Sequence, residues 1–261
     1  MELDDAYANA AHIPNAQAYL SAFVEQAEDW RAQLGAFAQL GVAYGDTPRQ
    51  AFDFFSPPGE SKGTMIFIHG GYWRSLDGSS FSHLAAGALA HGWAVAMPSY
   101  DLCPDVTIAD ITRQIALAVR GVADKTSGPI SITGHSAGGH LAARMLDRDL
   151  IPETVGRRLK SVVPISALSD LRPLLHTSMN DDFRMDEQAA IDESPIMMTN
   201  RYAVPVTVWV GADERPAFLD QARWLSDAWN AGLVIAPGKH HFDVIDPLTD
   251  PESDLVRRLV T

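Results

Sequence analysis

The chain holds a single cysteine, Cys103, in 261 residues, so no intrachain disulfide can form and a thiolate-rich metal site is excluded. Long apolar runs are absent too: none approaches the roughly 18 residues that a bilayer-spanning helix needs. The N-terminus, Met1-Glu2-Leu3-Asp4-Asp5, carries acids where a secretory signal carries bases. Basic residues are scarce, with 20 Lys and Arg against 33 Asp and Glu and a formal charge of -13. Without a Lys/Arg cluster, neither nucleic acid nor an anionic membrane is expected as a partner. These absences together suit a cytoplasmic protein. No internal repeat and no low-complexity stretch stands out.

Apolar residues make up 46% of the chain, enough to bury one large core, so residues 1–261 are expected to form a single domain. Tyr19, Phe23, Ala27, Trp30, Leu34 and Phe37 recur at spacings of three and four and predict a helix from about Asn15 to Leu40. This N-terminal segment, 1–45, is expected to pack on the core or to wall a pocket. Gln50 to Phe55 alternates weakly before a turn at Ser56-Pro57-Pro58-Gly59. Short apolar runs then read as buried strands: Thr64 to Ile68, Ala94 to Pro98, Ile130 to Thr133, Ser161 to Ile165, Val206 to Val210 and Leu233 to Ala236. Helical stretches separate them, among them Phe81 to His91 and Val106 to Val122. Strands alternating with helices predict an α/β fold, a doubly wound, mostly parallel sheet with helices on both faces. In such sheets, sites form beyond the carboxyl ends of the strands.

The run Ile130-Ser131-Ile132-Thr133-Gly134-His135-Ser136-Ala137-Gly138-Gly139-His140-Leu141 reads as a strand, then Gly-x-Ser-x-Gly, then a helix. A turn this sharp needs Gly134 and Gly138 for close passage of strand and helix, and it projects Ser136 as a nucleophile. His69-Gly70-Gly71-Tyr72-Trp73 follows its strand directly. Side-chain-poor positions there let the amides of Gly71 and Tyr72 converge, with that of Ala137, on an oxygen that becomes negative during acyl transfer. Gly70, Tyr72, Trp73 and His135 are the residues expected against the substrate.

A serine needs a base, and the chain order nucleophile, acid, histidine directs attention downstream. His240 and His241 follow the last strand and its turn. An adjacent pair also suggests metal, but neighbours on a loop point differently and no further ligand accompanies them, so no metal is expected. After the strand Val206 to Val210, Gly211-Ala212-Asp213-Glu214 offers two carboxylates. An acid three residues past the strand-ending glycine points to Glu214, with Asp213 as the alternative.

On these residues the chain resembles the α/β-hydrolases and, within them, is similar to the kynurenine formamidase (arylformamidase) group, close to the hormone-sensitive-lipase-like esterases. The likeness rests on His69 to Trp73, Tyr100-Asp101-Leu102-Cys103-Pro104 with the following Thr107 to Val119, and Gly134 to Leu141. It continues through Ser166-Ala167-Leu168-Ser169-Asp170-Leu171-Arg172-Pro173-Leu174, Ser194-Pro195, Phe218 and Gln221, and ends at His241-Phe242. The resemblance implies that His241, directly before an aromatic, is the base. It also implies that the acid stands four residues before Phe218, at Glu214. Ser166-Ala167 departs from the group's usual Ser-Gly. The implied activity is cofactor-free hydrolysis of a small-molecule ester or amide through an acyl-enzyme, an arylformamide of the N-formylkynurenine type. A broad carboxylesterase is the alternative, and a catalytically inactive binding protein of the same fold a more distant one.

Overall fold

The structure is a computed structural model that describes all 261 residues, Met1–Thr261. Eight strands form one sheet: β1 Ala38–Ala43, β2 Ala51–Phe55, β3 Thr64–Ile68, β4 Ala94–Pro98, β5 Ile130–His135, β6 Leu159–Ile165, β7 Thr207–Gly211 and β8 Gly232–Ala236. Their spatial order is β1-β2-β4-β3-β5-β6-β7-β8. β1 and β2 enter antiparallel, and every later pairing is parallel, as the alternating pattern predicts.

The apolar runs are continuous because both faces of the sheet are covered. Side chains alternate across a strand. Ile66 and Ile68 of β3 therefore join one core, with the helices Ile108–Lys125, Ala137–Arg144 and Pro216–Trp229. Met65 and Phe67 join the core on the opposite face, with Phe23 of the Ala16–Leu34 helix and Leu255, Val256 and Leu259 of the Asp254–Val260 helix. The four β3 side chains are fully buried, each contributing about 1.5 to 3 kcal/mol of transfer free energy.

Two sequence expectations need correction. The N-terminal helix stops at Leu34, not Leu40, because Gly35 takes φ 51 and turns the chain into β1. The exposed edge strand β1, with Leu40 56% accessible, has no apolar alternation to reveal it. The helix read over Phe81 to His91 is a 3₁₀ segment, Gly78–Ala85, followed by a short α-helix, Ala86–Ala90. Asp77 caps the segment by accepting from the Ser80 N–H at 3.1 Å.

Candidate active site

From the adjacent strands β3 and β5 the chain departs in opposite directions, to β4 on one side and β6 on the other. That reversal opens a crevice beyond their carboxyl ends. Ile68 pairs with Gly134 at the end of the shared register, so His69-Gly70-Gly71 and His135-Ser136 leave the sheet at one edge. Ser136 has φ 57 and ψ -118, and its hydroxyl caps nothing on the helix that starts at Ala137. A non-glycine residue in this region is strained unless its surroundings enforce it. Here they do. A Cβ on Gly138 would lie 2.0 Å from the Ile68 carbonyl oxygen, and one on Gly134 2.2 Å from the Gly138 oxygen. Strand and helix pass in backbone contact, and the turn has no slack. The Ser136 N–H donates to the Ile165 carbonyl at 2.8 Å, tying the turn to β6.

Glu214 and His241 come together from the ends of β7 and β8. His241 Nδ1–H donates to Glu214 Oε2 at 2.6 Å, and the Glu214 side chain is fully buried. The other carboxylate oxygen, Oε1, accepts from the Gly211 N–H at 2.8 Å and from the Ser166 hydroxyl. Both oxygens are thus committed, and the carboxylate cannot swing away. With Nδ1 engaged, Nε2 is the nitrogen His241 has free, and it makes no hydrogen bond within the protein. Ser136 Oγ makes none either. Both residues line the same cavity.

The neighbouring candidates are placed elsewhere. Asp213 is exposed, with only its N–H engaged, on the Lys239 carbonyl at 2.9 Å. His240 Nδ1 accepts from the Asp243 N–H at 3.2 Å, and its ring meets Tyr19 edge-on.

Gly71, Tyr72 and Trp73 take φ of 105, 50 and 54 in succession. The carbonyls of Gly70 and Gly71 are occupied: His69 Nδ1–H donates to the Gly70 oxygen at 2.7 Å. The Gly71 oxygen accepts from the N–H groups of Arg74 and Ser75 at 3.0 and 3.1 Å. The N–H groups of Gly71 and Tyr72 have no acceptor in the protein. Successive free amides make a concave anion site, and Ala137 adds the first amide of its helix, where donors are characteristically unpaired. The His69 ring stacks on Tyr100 with centroids 4.1 Å apart, and burial lowers its pKa to about 4, so it stays a neutral donor.

The crevice widens into a cavity of about 810 Å³. Of the four residues expected against substrate, Tyr72 and His135 line it. Gly70 and Trp73 do not. Trp73 turns into the core between His140 and Phe183, edge-on to each, and is fully buried. Gly70 lies behind the wall, where a Cβ would sit 2.8 Å from the His135 carbonyl. His135 Nε2–H donates to the His241 carbonyl at 2.7 Å. Burial, and then the nearby His241, push the His135 pKa well below the ordinary histidine value. Cys103 also reaches the cavity, but burial raises its thiol to about 11 and keeps it neutral.

One contributor was not anticipated, and of the two expectations for the N-terminal segment the structure shows both. That contributor is Ser166; its place just past β6, with φ 49, could have drawn attention to it. Leu20 and Phe23 of the N-terminal helix, and the segment around Tyr7 to Ala11, form a wall of the cavity. Nothing in the residue pattern distinguishes them from core packing. No three His, Cys, Asp or Glu side chains are grouped to hold a metal ion. No helix is long and apolar enough to cross a membrane.

Residues 52–223 match the family described as BD-FAE. Kynurenine formamidase from Danio rerio is 28% identical over 94% of this chain and 87% of its own. Esterase LipC from Mycobacterium tuberculosis is 30% identical over 78% of this chain and 60% of its own. A crystal structure from Silicibacter sp. TM1040, provisionally called a thioesterase, is 59% identical and covers 100% of both chains with a TM-score of 0.99.

Proposed function

The chain belongs to the BD-FAE family and is an α/β-hydrolase, and from that premise we propose that it works by two-step acyl transfer through Ser136. His241 Nε2 takes the hydroxyl proton as Oγ attacks the substrate carbonyl, and Glu214 holds the imidazole in the required tautomer and stabilises the imidazolium. The amides of Gly71, Tyr72 and Ala137 receive the oxyanion. His241 then returns the proton to the leaving group, and water releases the acyl-enzyme by the same route in reverse. The observation that carries this reading is the 2.6 Å bond that joins Glu214 to His241, which lines the same cavity as Ser136.

The substrate proposed is an arylformamide of the N-formylkynurenine type. The kynurenine formamidase relatives match nearly the whole chain, and the cavity wall is mostly apolar or aromatic, as an aryl leaving group requires. Formyl itself needs only a small acyl pocket. Short-chain carboxylesterase activity is the second reading, favoured by the match to Esterase LipC. The whole chain is proposed to act as one domain, in the cytoplasm.

Kinetics on formyl-anilides, acetyl-anilides and short-chain aryl esters test the assignment. Formyl-anilides are expected to give the highest kcat/KM. A preference for butyryl or longer esters without formamidase activity would transfer the chain to the carboxylesterases. Labelling of Ser136 by an organophosphate, identified by peptide mass, is expected in either case.

A further inference from the structure

Asn9 is 6% exposed and lies on the wall of the cavity, yet neither its Oδ1 nor its Nδ2 has a hydrogen-bond partner. A buried carboxamide left in this state is costly, because desolvation of donor and acceptor goes uncompensated. The ordinary structural reason for asparagine at this place is missing. Asn9 precedes the short 3₁₀ turn Ala10–His12, but its side chain makes no capping bond. The turn is closed instead by the Asn9 backbone carbonyl, which accepts from the His12 N–H at 3.0 Å.

The segment that carries Asn9 is held firmly. The Tyr7 carbonyl accepts from the Tyr72 hydroxyl at 2.7 Å, and the Tyr7 hydroxyl accepts from Gln221 at 3.1 Å. The Asn9 backbone is therefore held beside the cavity, while its carboxamide, closed to solvent at both polar atoms, is not used by the fold. The Tyr7 ring meets Phe218 edge-on at 6.0 Å, and Phe218 packs against His241 at 4.5 Å between centroids. This wall accordingly stands on the histidine side, where a protonated leaving group departs. It also lies outside residues 52–223, the part matched to the family.

We propose that Asn9 is a specificity-determining residue, whose carboxamide turns from its closed, unpaired position into the cavity to receive a neutral leaving group bearing a hydrogen-bond donor beside an acceptor. The charges near it favour a neutral group. Asp4 and Asp182 face the cavity against one cation, Arg74, and Arg74 is engaged by Asp182 at 2.7 Å. Asp4 is likewise engaged, by the N-terminal ammonium of Met1, so an anion would find no free cation here, whereas a carboxamide-like edge matches Asn9 with one bond in each direction. The inference rests on the acyl-transfer reading for the words "leaving group", but its test does not require turnover.

The test is equilibrium binding of benzamide and of isopropenylbenzene, similar in shape but lacking the donor and acceptor, to the parent protein, Asn9→Ala and Asn9→Leu. The parent is expected to prefer benzamide by about tenfold or more, as a site built around polar groups should. Both variants should lose that preference to within about threefold. Asn9→Leu, which replaces an unpaired amide by an apolar side chain of similar size, should also raise Tm by a few degrees. This makes it the variant that remains folded if Asn9→Ala does not. A parent without benzamide preference, or a preference surviving in Asn9→Leu, overturns the proposal even if formyl-anilides prove to be substrates. Failure of formyl-anilide turnover with the binding pattern intact overturns only the substrate assignment.

Discussion

The Tyr72 hydroxyl donates to the Tyr7 carbonyl at 2.7 Å across 65 positions of sequence, so the loop after β3 leans on a segment that precedes the first strand. Burial holds the Tyr72 phenol well above its ordinary pKa, and it remains a donor at any physiological pH. Tyr72→Phe removes that bond and leaves a carbonyl unpaired, at a cost of about 1 to 3 kcal/mol in stability. If the bond also places the free Gly71 and Tyr72 amides, kcat should fall by about tenfold with little change in KM. Urea denaturation and steady-state kinetics on one preparation read both effects. A stability loss with unchanged kcat would show that the loop holds its shape without Tyr7.

Ser136→Ala is expected to lower turnover by several orders of magnitude, leaving only the roughly 10³ to 10⁴ that binding and oxyanion stabilisation retain over water. Because alanine has the same backbone preference against φ 57 as serine, the fold should be retained. Near-parent turnover in this variant would remove Ser136 from the reaction.

The acid and base were each one of two neighbours in the sequence, and kinetics can separate them. His241→Ala should be nearly as damaging as Ser136→Ala, and adding Glu214→Gln to it should cost far less than the product of the single effects. His240→Ala and Asp213→Asn should be mild. Ser166→Ala, which removes one of the two donors on Glu214 Oε1, should lower kcat by about tenfold, through loss of one charge-assisted hydrogen bond. A severe loss at His240 or Asp213, with the neighbour tolerant, would shift the assignment by one residue.

The parts of the site that sequence made legible are those where backbone geometry restricts residue choice. Gly134 and Gly138 are required by contacts shorter than any Cβ allows, so the strand, turn and helix around Ser136 leave a local pattern. The choice of Glu214 over Asp213 rested on its register after Gly211, from whose N–H its carboxylate accepts. Trp73 was misread because an aromatic beside a strand end carries no mark of direction. At φ 54 its side chain enters the core, whereas the Tyr72 side chain reaches the cavity. Whether the N-terminal segment walls a pocket or only packs on the core was not legible, for a different reason. Phe23 is at once a core residue and a cavity residue, and its helical spacing is the same for both.

Acid should destabilise the protein earlier than its carboxylates alone would require. His69 and His140 are fully buried, and burial lowers their pKa values to about 4 and about 3 from 6.5. The unfolded chain therefore binds their protons first as pH falls. Their contribution is complete above pH 6.5 and is lost progressively below it, through about 4 for His69 and about 3 for His140. Each group adds up to about 1.4 kcal/mol per pH unit to the slope. Between pH 6.5 and 5 most carboxylates are still ionised, so histidines dominate there. His140 Nε2–H donates to the Glu193 carbonyl at 2.7 Å, a bond that glutamine can imitate without titrating. Urea unfolding at pH 7, 6 and 5 should give a slope about one proton shallower for His140→Gln than for the parent. An unchanged slope would mean that His140 takes up its proton in the folded state, with the Trp73 side of its pocket opening to water.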